Sequence, residues 1–135
     1  MKEEKLNEIL NEVLEEIEQA LKDVRGLVSH QRRLAFSLSL GSIVLLELYL
    51  HKLGVIKAGS KINHLWFKRK KESIFEQLQN QVSVPVESIK NIENIVDIVV
   101  RIEEKRDELA YGASSFNELL QEKINLFFEL KRIVE

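Results

Sequence analysis

The absence of cysteine is the most informative gap in this 135-residue sequence. A chain without thiols can form no disulfide framework, no thiolate metal site and no cysteine nucleophile. This composition fits a reducing compartment, and we expect a cytoplasmic protein. The first residues, MKEEKLNEI, have no apolar core region and therefore predict no secretory signal.

Several catalytic motifs are also missing from the sequence. It contains no glycine-rich phosphate loop, no HExxH and no G-x-S-x-G. The E-x-x-H pairs of di-iron helical bundles are absent, because Glu47 and His51 are spaced by four residues rather than three and no second such pair exists. We therefore expect neither a metal site nor a cofactor.

Charge of one sign is not in excess, because 20 Lys and Arg stand against 22 Asp and Glu, for a net charge of -2. Nucleic-acid binding would therefore need a local basic patch. The candidate patch is the run Lys68, Arg69, Lys70 and Lys71, whose cations could contact phosphate groups. Four consecutive residues point to all sides of a helix, so an ordinary solvated surface is the alternative.

Helical periodicity organises the rest of the chain. Apolar residues recur at steps of three and four over 5–24, 64–81 and 86–110, and again after Gly112. A further helix, over 29–53, is apolar nearly all round and is predicted to lie at the centre. With short loops and no strand signal, the sequence predicts one domain over 1–135, an all-α antiparallel bundle of about five helices.

Glycine, proline and serine supply the predicted helix boundaries. Gly26, Gly54 and Gly112 are predicted stops, and Pro85 suits the first turn of the fourth helix. Ser115 and Glu118 have the spacing of a capping box for the last helix. The residues predicted to face the core are Leu65, Trp66, Ile74, Phe75 and Leu78 in the third helix, and Phe116, Leu119, Leu120, Ile124, Phe127, Phe128 and Ile133 in the last.

The central helix has two alternative interpretations. Its apolar run, 34–50, falls just short of the ~18 residues that a membrane span needs, and it contains Glu47. Amphipathic helices are available to cover it, so we favour a core helix and expect no membrane partner. The small residues Ser37, Ser39, Gly41 and Ser42 in its middle would let a neighbouring helix approach closely.

Two polar pairs are candidates for chemistry. Glu47 and His51 are four residues apart on one helical face, so the carboxylate could orient the imidazole as an acid or base. The alternative is a helix-end histidine beside a partly exposed carboxylate. Arg106 and Tyr111 are rotated by roughly 140° on a regular helix, so they can share a site only at a helix end or across a dimer interface.

The order of these features carries a family resemblance. Glu47-x-x-x-His51 closes the central helix, and Leu53-Gly54 and a loop lead to Asn63-His64-Leu65. Arg106-Asp107 comes late in the penultimate helix, before a last helix rich in Leu and Phe. From about 34 to 134 the chain resembles the HEPN superfamily of small helical bundles.

The resemblance implies a homodimer with an Arg and a His from each subunit meeting at the interface. Many HEPN proteins are metal-independent endoribonucleases, and others partner small nucleotidyltransferases in toxin–antitoxin pairs. In this chain Tyr111 stands where the motif histidine is expected, and no histidine follows Arg106. A phenol, with an ordinary pKa near ~10, is a poor general base at neutral pH.

Three functional hypotheses follow. The first is a dimeric binding or regulatory module for RNA, a nucleotide or a partner nucleotidyltransferase. In it, Arg106, Asp107 and Tyr111 would line the cleft with Glu47 and His51, and the run Lys68, Arg69, Lys70 and Lys71 would contact phosphate. The second is a metal-independent endoribonuclease that uses Arg106 with Tyr111 or His51. The third is a structural bundle that binds another protein through Glu8, Glu12 and Glu15 of its acidic first helix.

Overall fold

Six α-helices surround one apolar core in the computed structural model, which describes residues 2–135. They are α1 (Glu3–Lys22), α2 (Gln31–Lys52), α3 (Lys71–Gln81), α4 (Ile92–Glu103), α5 (Arg106–Tyr111) and α6 (Asn117–Val134). Short 3₁₀ turns at Leu27–His30, His64–Lys68 and Val86–Ser88 precede α2, α3 and α4. Within residues 2–135 there is no strand, and only an isolated bridge joins Ile56 to Val82. The predicted all-α bundle is confirmed.

Helix α2 lies at the centre, as its all-round apolar sequence predicts. It packs against α1, α4, α5 and α6. Of the helices described in residues 2–135, the stretch Leu27–Lys52 alone is long and apolar enough to cross a membrane. However, 72% of its most apolar window is buried inside the bundle. Other helices of the same chain therefore cover the apolar surface of α2, as in the core helix of a soluble domain.

Two glycines define how α2 packs and ends. A Cβ atom on Gly41 would lie 2.7 Å from the Phe127 ring and 2.8 Å from Val13 Cγ1, so α6 and α1 approach the bare backbone of α2. Gly54 has a φ of 71° and closes the helix with paired backbone hydrogen bonds, from its own N–H to His51 and from Val55 N–H to Leu50. The close approach and the Gly54 stop both confirm the sequence interpretation.

Two helices predicted to be continuous are broken. The helix predicted over 64–81 is interrupted because Arg69 and Lys70 are extended, which separates the 3₁₀ turn from α3. The helix predicted over 86–110 is interrupted at Asn91 and Lys105, whose φ values of 64° and 62° are left-handed. The break at Lys105 separates α5 from α4, and both helices pack against α2.

The start of α6 also differs from the prediction. The helix begins at Asn117, and no side chain caps its N-terminus. Ser115 instead donates its backbone N–H to Gln31 Oε1 on α2, at 2.7 Å. The predicted capping box is therefore wrong. Phe116 precedes the helix and is 75% exposed, and Phe128 and Leu65 are also exposed rather than buried as predicted.

Candidate functional site

A buried carboxylate at the end of α4 organises a polar cluster in the bundle. The side chain of Glu103 is only 1% exposed. Its Oε2 accepts a hydrogen bond from Ser39 Oγ on α2, and its Oε1 lies 2.7 Å from His64 Nδ1. A buried carboxylate needs such partners because an unpaired buried charge is costly.

The bond to Glu103 defines the state of the His64 ring. A carboxylate only accepts hydrogen bonds, so Nδ1 carries the hydrogen and Nε2 is the nitrogen left free. His64 opens the 3₁₀ turn His64–Lys68. Asn63 caps this turn, because its side-chain oxygen accepts a hydrogen bond from the backbone N–H of Leu65. The imidazole is 33% exposed, so it is held from inside the fold and reaches the surface.

Arg106, the first residue of α5, lies beside this pair. Its Nε is 4.0 Å from Glu103 Oε1, and its Nη1 donates a hydrogen bond to Asp107 Oδ1 at 2.9 Å. The guanidinium carbon is 5.0 Å from the centre of the Phe36 ring, a cation–π distance. Three neighbours therefore orient a side chain that is only 16% exposed.

Asp107 connects Arg106 to the basic run. Its second oxygen accepts a hydrogen bond from Lys68 Nζ at 2.7 Å. That hydrogen bond is the main reason why the pKa of the Asp107 carboxyl lies below its ordinary value, and Arg106 lowers it further. The carboxylate thus joins the 3₁₀ turn to α5.

A cleft of about 480 Å³ opens beside Arg106, and we call it the Arg106 cleft. Its walls include Phe36, Ser39, Lys61, Asn63, His64 and Arg106. The volume lies within the range of small-molecule sites, roughly 300–1,000 Å³. Three of its lining residues, Lys61, His64 and Arg106, have basic side chains that suit anions, and none of the lining residues that the structure describes is a carboxylate.

A larger cleft, between α3 and the start of α4, has the opposite character. It measures about 780 Å³ and is lined by Phe75, Val86 and Ile89. Its polar wall is acidic, and no basic residue lines it within the described part of the chain. The lining glutamates are Glu72, Glu76, Glu87 and Glu93. Such a surface repels phosphate, so the Arg106 cleft is the better candidate for an anion site.

The predicted pair of Glu47 and His51 does not form. Glu47 is buried, and its Oε1 accepts a hydrogen bond from the backbone N–H of Ile62 at 2.8 Å. Neither Glu47 Oε2 nor His51 Nε2 has a hydrogen-bond partner within residues 2–135, and no ion pair joins the two residues there. The interpretation of Glu47 as the group that orients His51 is therefore wrong. Glu47 instead supports the wall of the Arg106 cleft through Ile62, which lines it.

Tyr111 lies at the rim of the same site. Its ring is 72% exposed and packs edge-on against Phe36, with the ring centres 5.9 Å apart. Phe36 thus contacts both Tyr111 and Arg106, which come from opposite ends of the short helix α5. Tyr111 and Arg106, both predicted as site residues, therefore lie at one rim because each contacts Phe36.

The basic run is divided by the break before α3. Lys68 and Arg69 line a neighbouring cleft of about 430 Å³ that also includes Arg106 and Asp107. Lys71, in contrast, pairs with Asp97 of α4 at 3.0 Å, and Lys70 is exposed. Half of the predicted patch therefore adjoins the candidate site, and the four residues do not form one surface.

Sequence reasoning missed His64, Glu103 and Ser39 as site residues. The one local signal was that Glu103 precedes Arg106 by three residues, a spacing at which opposite charges can interact. Within residues 2–135 no group of three or more His, Asp or Glu side chains is arranged to hold a metal ion. The glutamates of the acidic first helix, Glu8, Glu12 and Glu15, are exposed, and a protein partner for them stays a prediction.

No known protein family, curated protein or solved structure matches this chain.

Proposed function

We propose that this protein is a HEPN-like homodimeric module that binds RNA through phosphate contacts in the Arg106 cleft. One observation carries the proposal: Lys61, His64 and Arg106 line a single cleft whose described walls contain no carboxylate. Phosphate groups dominate the affinity of proteins for nucleic acids, and lysine and arginine are their usual partners.

The geometry of Arg106 suits phosphate binding. Of its nitrogens, Nη1 alone makes a hydrogen bond within the described residues, and that bond goes to Asp107. The guanidinium carbon also lies over the Phe36 ring, 5.0 Å from its centre. A held guanidinium loses little side-chain freedom on binding and can donate two hydrogen bonds to one phosphate. Arg106 is therefore the expected anchor, with Lys61 as an additional cation.

The homodimer is supported by the apolar rim of the same cleft. Phe36, Leu40 and Tyr111 are 40%, 48% and 72% exposed. Exposed large apolar residues gathered at one place are typical of a protein–protein interface. A second copy of the chain that covers this rim would place two Arg106 clefts side by side, in agreement with the HEPN resemblance. A nucleotidyltransferase of the toxin–antitoxin type is the other partner that the resemblance suggests.

The test is fluorescence anisotropy with a labelled single-stranded RNA in the presence of EDTA. Arg106→Gln is expected to weaken binding by about tenfold or more, since a hydrogen bond to a charged group is lost. Arg132→Gln, on the exposed face of α6, removes the same charge far from the cleft and should change affinity far less. Equal losses in the two variants, or no RNA binding by the wild-type protein, would reject the proposal.

The dimer is tested separately by sedimentation velocity. Leu40→Glu places a charge on the apolar rim and is expected to shift the protein to the monomer. A wild-type protein that sediments as a monomer at high concentration would remove the dimer from the proposal. Competition by a mononucleotide against the labelled RNA would show whether a single phosphate group is enough for binding.

A further inference from the structure

The cleft of about 780 Å³ between α3 and the start of α4 is a second surface with room for a ligand, and we call it the α3–α4 cleft. Of the described α-helices, only α3 and α4 line it. We infer that the α3–α4 cleft binds a basic amphipathic helix of a partner protein. The inference is independent of the proposed RNA binding, because no residue lines both this cleft and the Arg106 cleft.

The cleft has an apolar floor. Val86, Ile89 and Ile92 belong to the buried core, and the half-buried ring of Phe75 packs against that core from α3. All four residues line the cleft, so apolar side chains from both of its sides meet there. An amphipathic helix that binds in a groove places its apolar face against such a floor.

One wall of the cleft is a single face of α3. Glu72, Phe75, Glu76 and Gln79 all line the cleft and are spaced by three or four residues, so they lie on one side of the helix. At the rise of an α-helix this face extends over about 10 Å, which is the length of roughly two helical turns. The wall therefore has the length of a short helical segment.

The opposite wall is fixed to α3 by one side chain. Gln79 donates a hydrogen bond from Nε2 to the backbone oxygen of Val84 at 2.8 Å. Its Oε1 accepts a hydrogen bond from the backbone N–H of Val86 at 2.9 Å. This pair of bonds joins α3 to the start of the 3₁₀ turn Val86–Ser88. The cleft is therefore preformed, and a preformed site loses less free energy to ordering when a partner binds.

The charge of the cleft indicates the chemistry of the partner. Its four lining glutamates are exposed, and within residues 2–135 none of them forms an ion pair, since the neighbouring Lys71 pairs with Asp97 instead. Carboxylates on both sides of an apolar floor attract cations that flank an apolar surface. A basic amphipathic helix carries Lys and Arg beside its apolar face. A small organic cation would meet only part of the four charges.

A second copy of this chain is a poorer occupant of the cleft. Each of the six described helices contributes apolar residues to the core of its own bundle, so a folded copy has no free amphipathic helix to offer. The exposed face of α1 carries glutamates, among them Glu12 and Glu15, which the acidic cleft would repel. The partner is therefore expected to be a different protein.

The experiment is fluorescence anisotropy with a labelled synthetic peptide of leucine and lysine, whose leucines recur at helical spacing on one face. The control peptide has the same composition, but leucine and lysine alternate, so that no helical face is apolar. The helical peptide is expected to bind about tenfold or more tightly. Equal affinities would mean that the protein attracts the charge alone, and would overturn the inference.

Variants of the protein locate the binding surface. Glutamine in place of all four cleft glutamates is expected to weaken binding of the helical peptide by about tenfold or more. A control variant loses the same number of charges from the exposed face of α1 and should bind nearly as the wild type does. An equal or larger loss in the control would assign the peptide to α1 and overturn the inference. The substitutions are Glu72→Gln, Glu76→Gln, Glu87→Gln and Glu93→Gln in the cleft, and Glu4→Gln, Glu8→Gln, Glu12→Gln and Glu15→Gln in the control.

A single substitution at an exposed position provides a second test. Asn94→Lys adds a cation to the lining of the cleft and should also weaken peptide binding, whereas Asn125→Lys adds the same charge to the exposed face of α6 and should weaken it far less. Equal effects of the two substitutions would contradict binding in the cleft. Spermidine that binds as tightly as the helical peptide would overturn the choice of a helix. Self-association of the wild type that the cleft glutamine variant abolishes would make a second copy the occupant, and would also overturn the inference.

Discussion

The substitution Lys105→Gly tests whether the chain is broken between α4 and α5. The free energy of unfolding should rise if the break exists and should fall if the helix is continuous. Lys105 has φ 62° and ψ 12°, in the left-handed region, and it separates α4 from α5. A residue with a Cβ atom pays about 1–2 kcal/mol in this region. Glycine avoids that cost but loses about 0.5–1 kcal/mol more in chain entropy. Lys105→Gly is therefore expected to stabilise the protein by about 0.5–1 kcal/mol.

A continuous helix would give the opposite result. Glycine in a helix interior costs about 1 kcal/mol, so the same substitution would then destabilise the protein. For a chain of this length, a change of 1 kcal/mol corresponds to roughly 3–4 °C in melting temperature. Urea unfolding followed by far-UV circular dichroism gives the free energy, and thermal unfolding gives an independent measure. The side chain of Lys105 is exposed, so its removal disturbs no packing.

Two further glycine substitutions calibrate the result. Glu12→Gly lies on the exposed face of α1 and should destabilise by about 0.5–1 kcal/mol. Asn91→Gly changes the other left-handed position. Because asparagine tolerates this conformation, the increase in the free energy of unfolding should be smaller than for Lys105→Gly. A loss of stability in Lys105→Gly equal to that in Glu12→Gly would refute the break between α4 and α5. The arrangement of Glu103 and Arg106 around that break would then also be wrong.

The remaining predictions concern one carboxylate and one close contact. In an NMR titration Asp107 should have a pKa below its ordinary value, and Lys68→Met should return it most of the way, because the Lys68 hydrogen bond is the main cause of the shift. The stabilisation from this lowered pKa is complete above the unfolded-state pKa near ~3.9 and is lost as pH falls through the folded-state pKa. An Asp107 pKa at its ordinary value would contradict the hydrogen bond with Lys68. Gly41→Val should destabilise by about 2 kcal/mol or more in urea unfolding, since its side chain would overlap Phe127 and Val13. A neutral result at Gly41 would mean that α1 and α6 do not pack on α2 so closely.

The parts of the fold that could be predicted from the sequence depend on properties of single segments. The all-round apolarity of 34–50 required burial on several sides, and α2 is the central helix. The end of α2 at Gly54 could be predicted because a left-handed residue at a helix end is usually glycine. The small residue at Gly41 indicated close packing without indicating which helices would meet there.

The helix break at Lys105 could not be predicted because lysine carries no stop signal. Lysine is a good helix former, so the propensity of the segment around Lys105 favours continuation. The chain turns there because α5 packs against α2, a contact between segments distant in sequence. The same reasoning applies to Phe116, whose apolar character predicted burial. It lies outside α6, since the chain before Asn117 is bound by Gln31 and not by a local cap.

The candidate site shows why spacing alone selected a polar pair that does not form. Glu47 and His51 share a helical face, but the Glu47 carboxylate is buried in the bundle, where its Oε1 accepts a hydrogen bond from the backbone N–H of Ile62. His64 and Glu103 are separated by 39 residues and come together only after α4 packs beside the turn that precedes α3. Their pairing depends on tertiary packing that no local pattern encodes. Arg106 was identified from its neighbours in sequence, but its partners in the cleft became visible only from the fold.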